Sequence, residues 1–437
     1  MSSKVKSPAA TEGESALVPK RRFLEFQDEG PWTTVTLASV ARLSTEKVQD
    51  NACIPMSITT GVGLVSQIEK FGRVIAGESY KNYLLLKKHD FAYNKSATKE
   101  YPQGFIALYT GDVLAAVPNS IFTCFRIKGE ALSPQYLNYL LLGNLHGRWL
   151  RKFIEVGARA HGSLSINDGD LLSLPVPVPA GSNSLKEQQK IADCLDSADA
   201  LIAAQGRKVE TLRDHKKGLM QQLFPQNGET EPRLRFPEFR NAGEWLPETL
   251  EKLCTAKISY GVVQAGPHIP AGMPYIKSMD LNLTLHLSRL SCTSNEIAQK
   301  YCRSEVKPGD IVFSLRGNIG VSQIVPQEIA VANLTQGTAR IRTKGPSEFY
   351  LHALRSQPVQ TRILAVSKGS TFQEISLEAL RNVLIYGPDF PEQQRVADCF
   401  TSLDDLIAAE TRKLDMLKVH KTGLTQQLFP QIGAGDG

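Results

Sequence analysis

The sequence predicts an α/β protein of the α+β type, with two similar globular domains separated by two long antiparallel coiled-coil helices in a pseudo-twofold arrangement. Three observations lead to this prediction. One segment of 40 residues occurs twice, each copy has apolar residues at coiled-coil spacing, and the region before each copy contains short β-rich runs between Gly and Pro turns.

The repeated segment covers residues 187–226 and recurs without gaps as residues 392–431, with 25 identical positions. Shared composition does not produce such a match, so the segment was duplicated or is constrained to one shape by one role. Weaker matches follow the same order, namely residues 19–32 against 232–245 and 126–129 against 342–345. Residues 80–93, in contrast, show no counterpart near 261–281. The sequence therefore predicts a common framework with variable middle regions.

Each copy of the repeat predicts one helix, because its apolar residues alternate at spacings of four and three and no proline occurs before Pro225 or Pro430. About 38 residues at 1.5 Å each give roughly 57 Å. The predicted seam consists of Ile191, Leu195, Ile202, Val209, Leu212 and Leu219, and of Val396, Phe400, Ile407, Leu414, Leu417 and Leu424. Polar seam positions, such as Gln205 and Lys216, fix the register. The alternative is that the two segments are core helices of one bundle. Because one such long helix follows each half, pairing of the two helices with each other is favoured.

The predicted organisation is a disordered tail (1–18), a first domain (19–186), a first long helix (187–231), a second domain (232–391), a second long helix (392–431) and a tail (432–437). Strands are predicted at 310–314, 338–342 and 383–386. A helix is predicted after each Arg-x-Lys-Gly sequence, over residues 134–156 and 347–366.

Composition excludes several classes of protein. The seven cysteines are scattered without a Cys-x-x-Cys pair, no apolar run approaches about 18 residues, and the N-terminal residues lack the apolar core of a signal peptide. A reducing cytoplasm without membrane insertion is therefore expected. The net charge of +6 and the pI of about 8.8 favour an anionic partner only weakly.

The sequence contains no recognisable catalytic set. It lacks a phosphate-binding Gly-x-x-x-x-Gly-Lys loop and the Asn-Pro-Pro-Tyr or Asp-Pro-Pro-Tyr tetrapeptide of amino-methyltransferases. Its eight histidines lack metal-binding spacing, so no metal site is predicted. Residues 305–307 resemble the end of a nuclease motif, but the partner carboxylate is missing and they are interpreted as a solvated strand end.

Side chains suited to DNA phosphates and base edges are frequent in the variable regions and the Gly-Ser loops. The candidates in the first half are Arg73, Lys87, Lys88, Tyr93, Asn94, Lys95, Arg159, His161 and Ser163. The candidates in the second half are Gln264, Lys277, Arg316, Asn318, Gln336, Lys368, Ser370 and Gln373. Each of them alone is also compatible with an ordinary surface role, and the Gly-Ser pairs are compatible with helix C-caps.

Together these features resemble the DNA specificity subunits of type I restriction-modification systems. The resemblance covers residues 19–431 and rests on the Arg-Phe-x-Glu-Phe-x-x-x-Gly-x-Trp sequences at Arg22 and Arg235, the exits at 176–189 and 387–394, and the helices ending Gln-Gln-Leu-Phe-Pro-Gln. It implies that each domain is a target recognition domain. It also implies that the helices are spacers and docking sites for two adenine methyltransferase subunits, which bind S-adenosylmethionine, and that a separate restriction and translocase subunit joins the complex.

The function expected from this resemblance is phage defence by a non-catalytic subunit that binds a bipartite, asymmetric double-stranded DNA site. It would direct methylation and cleavage by partner subunits, and the chain itself would bind no cofactor. The alternatives are a fused nuclease or methyltransferase with an unrecognised active site, and an RNA-binding or structural coiled-coil scaffold.

Overall fold

The computed structural model describes residues 17–59, 62–154, 164–261, 265–367, 369 and 374–430. The chain forms two units, of which unit 1 contains the residues up to Ala204 and those from Leu414 onward, while unit 2 contains Gln205–Lys413. Each unit mixes helices and strands, so the predicted α+β class with two domains is confirmed. Within the described part of the chain, no helix is both long enough and apolar enough to cross a membrane.

Unit 1 begins with most of its strands and ends in a long helix. Its strands are β1 (Thr33–Thr36), β2 (Ala41–Leu43), β3 (Ile54–Thr59), β4 (Gly63–Ser66), β5 (Leu84–Leu86), β6 (Phe91–Asn94), β7 (Phe105–Leu108), β8 (Ala115–Val117), β9 (Phe122–Ile127) and β10 (Pro175–Val178). Its helices are α1 (Leu37–Val40), α2 (Gln67–Phe71), α3 (Pro134–Leu142), α4 (Leu145–Leu150), α5 (Asp168–Leu172) and the first part of α6 (Ser184–Leu223).

Unit 2 has a similar but not identical order of elements. Its strands are β11 (Leu246–Thr249), β12 (Ser259–Tyr260), β13 (Met273–Ile276), β14 (Ser291–Thr293), β15 (Ile311–Ser314), β16 (Ser322–Ile324), β17 (Asn333–Leu334), β18 (Thr338–Ile341) and β19 (Leu384–Gly387). Its helices are α7 (Asn295–Lys300), α8 (Ser347–Arg355), α9 (Gln357–Ala365), α10 (Leu377–Arg381) and most of α11 (Phe390–Leu428), and short 3-10 helices occur in both units.

The sheets of the two units share their topology. One sheet has the order β2-β9-β6-β7 in unit 1 and β12-β18-β15-β16 in unit 2. A second sheet is built around a parallel pair, which is β3 with β8 in unit 1 and β13 with β17 in unit 2. The strands at the two ends of each domain, β1 with β10 and β11 with β19, pair antiparallel. The variable regions therefore share a topology that their sequences do not reveal.

The long helices pair antiparallel within each unit. In unit 1, Ile191 and Leu195 near the start of α6 share a core with Leu428 near the end of α11. In unit 2, Leu223 at the end of α6 shares a core with Phe400 of α11. Because each unit joins the start of one helix to the end of the other, the predicted antiparallel pairing is confirmed, and each such buried side chain contributes roughly 1.5–3 kcal/mol.

The two helices predicted after the Arg-x-Lys-Gly sequences are each broken, which corrects that prediction. Helix α3 ends at Leu142, and Asn144 adopts a left-handed conformation (φ 62°) before α4 begins. Helix α8 ends at Arg355, and the extended Ser356 leads into α9, which has a proline in its first turn. Pro358 has no N–H group that could bond to the carbonyl oxygen of Leu354, four residues earlier, so a continuous helix is interrupted at this point.

The motif that opens each half is bonded to the start of the long helix that ends it. Arg22 donates two hydrogen bonds to the carboxylate of Glu187, at 2.8 and 2.7 Å. Arg235 donates two hydrogen bonds to Glu392, at 2.9 and 2.6 Å. All four side chains are almost fully buried, and these charge-assisted bonds raise the pKa of both arginines. Both ends of each domain are thereby fixed to one another.

Candidate nucleic-acid interface

A second repeated contact positions the hairpins that carry several candidate residues. Asp90 precedes β6 and accepts two hydrogen bonds from Arg126, at 2.5 and 2.7 Å. Asp310 precedes β15 and accepts two from Arg342, both at 2.6 Å. The two arginines begin the repeated Arg-x-Lys-Gly sequences, and bonding to the aspartates raises the pKa of each. Arg126 lies in β9 and Arg342 directly follows β18. The hairpin of each unit is thus attached to the equivalent strand of the shared sheet.

Part of residues 80–93 has a structural counterpart in the second half, outside residues 261–281. The backbone N–H of Lys87 donates to Asp90, and that of Lys307 donates to Asp310, both at 2.8 Å. The turn and strand at residues 87–94 therefore correspond to residues 307–314, beyond the region in which a counterpart was sought. Part of the region interpreted as variable belongs to the common framework.

Tyr93 is not available for contact with a nucleic acid, which corrects its selection as a candidate. Its side chain is fully buried in the unit 1 core, and its hydroxyl donates to the carbonyl oxygen of Gln103 at 2.8 Å. Burial raises the pKa of the phenol well above its usual value. Phe91, Ala92 and Tyr93 are all fully buried, so both faces of β6 are covered by other parts of the unit.

Asn94 and Lys95 lie at the carboxyl end of β6 and are half-buried. The side-chain oxygen of Asn94 accepts a hydrogen bond from the N–H of Ser96 at 2.9 Å, which shapes the turn. The carbonyl oxygen of Lys95 accepts from the N–H of Leu164 at 2.7 Å. Because Leu164 follows the Gly-Ser sequence of the first half, these candidates lie beside the place where that loop rejoins the unit.

The turn after Asn94 depends on one glycine. Gly104 has φ 80°, and a Cβ atom there would lie 2.4 Å from the carbonyl oxygen of Asn94. The buried His146 ring contacts the Gly104 carbonyl oxygen at 3.2 Å. Only glycine fits this left-handed, closely approached position. The hairpin end is therefore held in one conformation.

The other described candidates of unit 1 are more dispersed. Lys87 and Lys88 lie before β6, at the end of the strand away from Asn94, and their ammonium groups contact Glu46 and Asp112, both at 2.6 Å. These contacts lower the pKa of both carboxyl groups. Arg73 is exposed just after α2. The candidates of unit 1 thus do not form a single cluster.

The described candidates of unit 2 do converge. The carbonyl oxygen of Gly337 accepts from the N–H of Leu315 at 2.8 Å and from the hydroxyl of Ser278 at 2.7 Å. These three residues are the chain neighbours of Gln336, Arg316 and Lys277, respectively. Three separate candidate segments therefore meet at one carbonyl group.

Arg316 and Asn318 complete this cluster in unit 2. The Arg316 guanidinium lies 2.8 Å from the carboxylate of Glu374, which is the first described residue after 370–373. The Asn318 amide donates to the side-chain oxygen of Asn282 at 3.0 Å. Both side chains are exposed, so the hairpin presents a guanidinium and an amide to solvent. A guanidinium can donate two hydrogen bonds to a guanine edge, and an amide can donate one hydrogen bond to an adenine edge and accept one from it.

Several candidates fall outside the described residues. They are Arg159, His161, Ser163, Gln264, Lys368, Ser370 and Gln373. Among the residues that are described, no group of three or more His, Cys, Asp or Glu side chains is arranged to hold a metal ion.

The predicted helix seam follows the burial pattern of the helices. Each of the twelve seam residues is buried or half-buried, whereas Leu201, Leu406, Met416 and Val419, off the seam, are 60%, 42%, 65% and 72% exposed. The polar seam residues Gln205 and Glu410 occupy the same position in the two copies of the repeat and bond to each other at 2.6 Å. These polar residues pair with one another and are not left without a partner.

The fold shows two units built on one framework with different polar surfaces, and part of the chain matches a known protein family. Residues 257–419 match the family model of the type I restriction modification DNA specificity domain. These residues belong to that domain family, and the resemblance inferred from the sequence is confirmed.

Relatives with similar sequences extend the match to more of the chain. The protein named "Putative type I restriction enzyme MjaX specificity subunit" from Methanocaldococcus jannaschii is 24% identical over 336 residues, covering 75% of this chain and 74% of that protein. The type I restriction enzyme EcoBI specificity subunit of Escherichia coli is 29% identical over 203 residues, covering 44% and 42%.

Solved structures share the fold. The S subunit of a type I restriction-modification system from M. genitalium matches with a TM-score of 0.55 and 15% identity, covering 95% of this chain and all of that one. A chain from a structure of the assembly and conformational transition of a type I system matches with a TM-score of 0.56 and 17% identity, covering 91% and 97%.

Proposed function

We propose that this chain is the DNA specificity subunit of a type I restriction-modification complex, and that each unit recognises one part of a bipartite, asymmetric double-stranded DNA site. The observation that carries the proposal is the repetition of one framework with two different polar surfaces. The Arg–Glu and Arg–Asp contacts recur in both units, whereas the hairpin ends differ in sequence, with Asn94 and Lys95 in one and Arg316 and Asn318 in the other.

Two different recognition surfaces bind two different sequences, and the bases between them need not be contacted. In this proposal the paired helices dock two methyltransferase subunits, which bind S-adenosylmethionine, and restriction subunits with translocase activity join the same complex in the cytoplasm. The chain then contributes recognition and no catalytic step. The names of the relatives support this assignment, since they too are specificity subunits.

The test is to co-express the chain with its methyltransferase subunits and to map methylated adenines in the host genome. We expect one asymmetric, interrupted sequence, methylated only when both components are present. Methylation by the chain alone, or binding of S-adenosylmethionine by the purified chain, would instead support a fused enzyme. Preferential binding of RNA by the assembled complex would contradict the DNA assignment.

Replacing the candidate surface of one unit distinguishes the two recognition roles. Grafting the hairpin 94–104 from a related subunit with another target should change one part of the methylated sequence and leave the other part unchanged. A change in both parts, or in neither, would contradict the assignment of one part of the site to each unit.

A further inference from the structure

Unit 1 carries a group of four cations, of which only Lys95 belongs to the candidate set. Arg151 and Lys152 lie in a short 3-10 helix directly after α4, just before residues 155–163, and both are exposed. Lys95 and Lys99 lie in the turn after β6, to which Leu164 is hydrogen-bonded. These four residues, here termed the basic patch, therefore flank both ends of the segment 155–163.

Among the described residues, the basic patch lacks the carboxylate partners that Lys87 and Lys88 have. Lys87 and Lys88 each contact a carboxylate at 2.6 Å. Across the described residues, in contrast, no carboxylate lies within salt-bridge distance of any of the four patch residues. The acidic residues of the neighbouring helix α5 are engaged elsewhere, because Asp168 accepts from Thr123 and Asp170 closes the capping box of that helix.

Several contacts fix the position of the segment that carries Arg151 and Lys152. The Lys152 ammonium lies 3.1 Å from the centre of the Trp149 ring, and the Trp149 indole donates to the Ser173 hydroxyl at 3.1 Å. Near the start of α4, the buried His146 contacts the carbonyl oxygen of Gly104 in the hairpin. A cation held in place before binding loses little conformational entropy on binding, so its contact is stronger than that of a free lysine.

The corresponding place in unit 2 has a different character. The end of α9 exposes Leu364 and Val366, and the guanidinium of Arg316 is paired with Glu374. The basic patch is therefore a feature of unit 1 that the shared framework does not require.

From this arrangement we infer that the basic patch of unit 1 binds DNA phosphate groups and positions the hairpin end at Asn94 against the bases. The inference rests on the proposed function and assigns residues to its DNA contact. Uncompensated cations beside a polar hairpin provide the sequence-independent part of binding, and the hairpin provides the sequence-dependent part. The alternative is that Arg151 and Lys152 only stabilise the carboxyl end of the preceding helix, a role that would not involve DNA.

The test measures DNA affinity of the assembled complex between 50 and 300 mM salt, on duplexes with and without the mapped target. The variant Arg151→Ala/Lys152→Ala should lose roughly 10-fold or more in affinity at low salt on both duplexes. The slope of the logarithm of its affinity against the logarithm of the salt concentration should be less steep by about two, because each phosphate contact contributes roughly 0.9 to that slope. The control Lys81→Ala removes an exposed cation of unit 1 that already lies 3.0 Å from the Asp50 carboxylate, and it should change the slope by less than half as much.

The exchange Arg151→Lys/Lys152→Arg should restore the slope, and thermal melting of each variant shows whether the unit is intact. An unchanged slope in a folded Arg151→Ala/Lys152→Ala variant overturns the inference, as does a loss confined to the target duplex or a loss of methyltransferase association without a change in slope. Failure of the unaltered complex to bind DNA would instead overturn the proposed function.

Discussion

The Lys421 ammonium lies 2.6 Å from both carboxylate oxygens of Asp199, although 222 residues separate the two in the chain. The same contact occurs in unit 2, where Lys216 lies 2.6 Å from both oxygens of Asp404. Each lysine is one of the polar interruptions of the predicted seam. Because both pairs join α6 to α11, a shift of either helix by one heptad would break them, so they fix the register.

The Asp199–Lys421 pair predicts a measurable coupling. Lys421→Met should lower the stability of unit 1, and the double variant Asp199→Lys/Lys421→Asp should recover part of the loss. The side chains are 44% and 22% exposed, so the coupling should be about 0.5–1 kcal/mol. Thermal melting in a double-mutant cycle measures it, with Lys418→Met as the exposed control. Additive effects of the two single changes would show that the pair does not interact.

The seam predicts unequal effects for adjacent apolar residues. Ile202→Asp with Ile407→Asp should cost several kcal/mol and weaken binding to the methyltransferase, because charges replace half-buried apolar side chains. Leu201→Asp with Leu406→Asp is the matched control, since these neighbours are 60% and 42% exposed. Melting temperature and co-purification measure both effects. If the first variant behaves like the second, the seam does not stabilise the helix pair.

Two buried histidines predict a loss of stability in acid. Burial lowers the pKa of His146 to about 4 and that of His352 to about 3, and Lys216 and Arg355 also oppose protonation of His352. The Asp404 carboxylate, 3.6 Å from His352, is already bonded to Lys216. Both folded-state pKa values lie below the ordinary value, so the unfolded chain binds more protons below pH 6.5. Stability should be complete above that pH and fall by about 1.4 kcal/mol per pH unit for each histidine between pH 6.5 and its folded-state pKa.

Melting of the protein between pH 7.5 and 5 measures this acid sensitivity. His352→Gln should reduce the pH dependence of unit 2, whatever its effect at pH 7.5. The control is His215→Gln with His420→Gln, because both of these side chains are exposed. An unaltered pH dependence in His352→Gln would mean that this histidine is not the group that is protonated on unfolding.

Arg316 predicts a change of specificity. Arg316→Ala should alter the part of the methylated sequence that unit 2 recognises, by roughly 1–3 kcal/mol if the guanidinium bonds to a base. Lys252→Ala, an exposed cation beside Glu248, should leave the methylated sequence unchanged. Methylation mapping compares the two variants. The same target for Arg316→Ala as for the unaltered chain would place this residue away from the bases.

We expect a fragment that ends near Glu231 to form a symmetric dimer. It lacks residues 414–430, so Ile191 and Leu195, now 2% and 0% exposed, would lose their α11 partner and face solvent. Lys216 occupies in the first copy the position of Lys421 in the second, so α6 of another fragment can supply an equivalent lysine to Asp199. We expect a twofold dimer that directs methylation to an inverted repeat. Sedimentation and methylation mapping test this, and a monomer, or a dimer that retains the asymmetric target, would contradict it.

The sequence alone predicts the long helices, but it does not predict which side chains lie on the surface of each unit. Ile191 and Val396 were assigned to the seam because heptad spacing is a local property of the chain. The Arg22–Glu187 bond was missed, although both motifs were recognised, because a separation of 165 residues leaves no periodic signal. Tyr93 was misassigned because a short strand with buried residues on both faces has no alternation to show which side chains are exposed.

The bond between Arg22 and Glu187, together with the pairing of β1 with β10, has a consequence for inheritance. Both contacts lie outside residues 37–174, so the junction that closes unit 1 is independent of the sequence enclosed by it. A recombination event that replaced the corresponding stretch of the gene would keep the junction and bring in a new surface. The two long helices, identical at 25 of 40 positions, would frame either enclosed domain with the same kind of segment. New target preferences could then arise by shuffling whole modules, without passing through poorly folded intermediates.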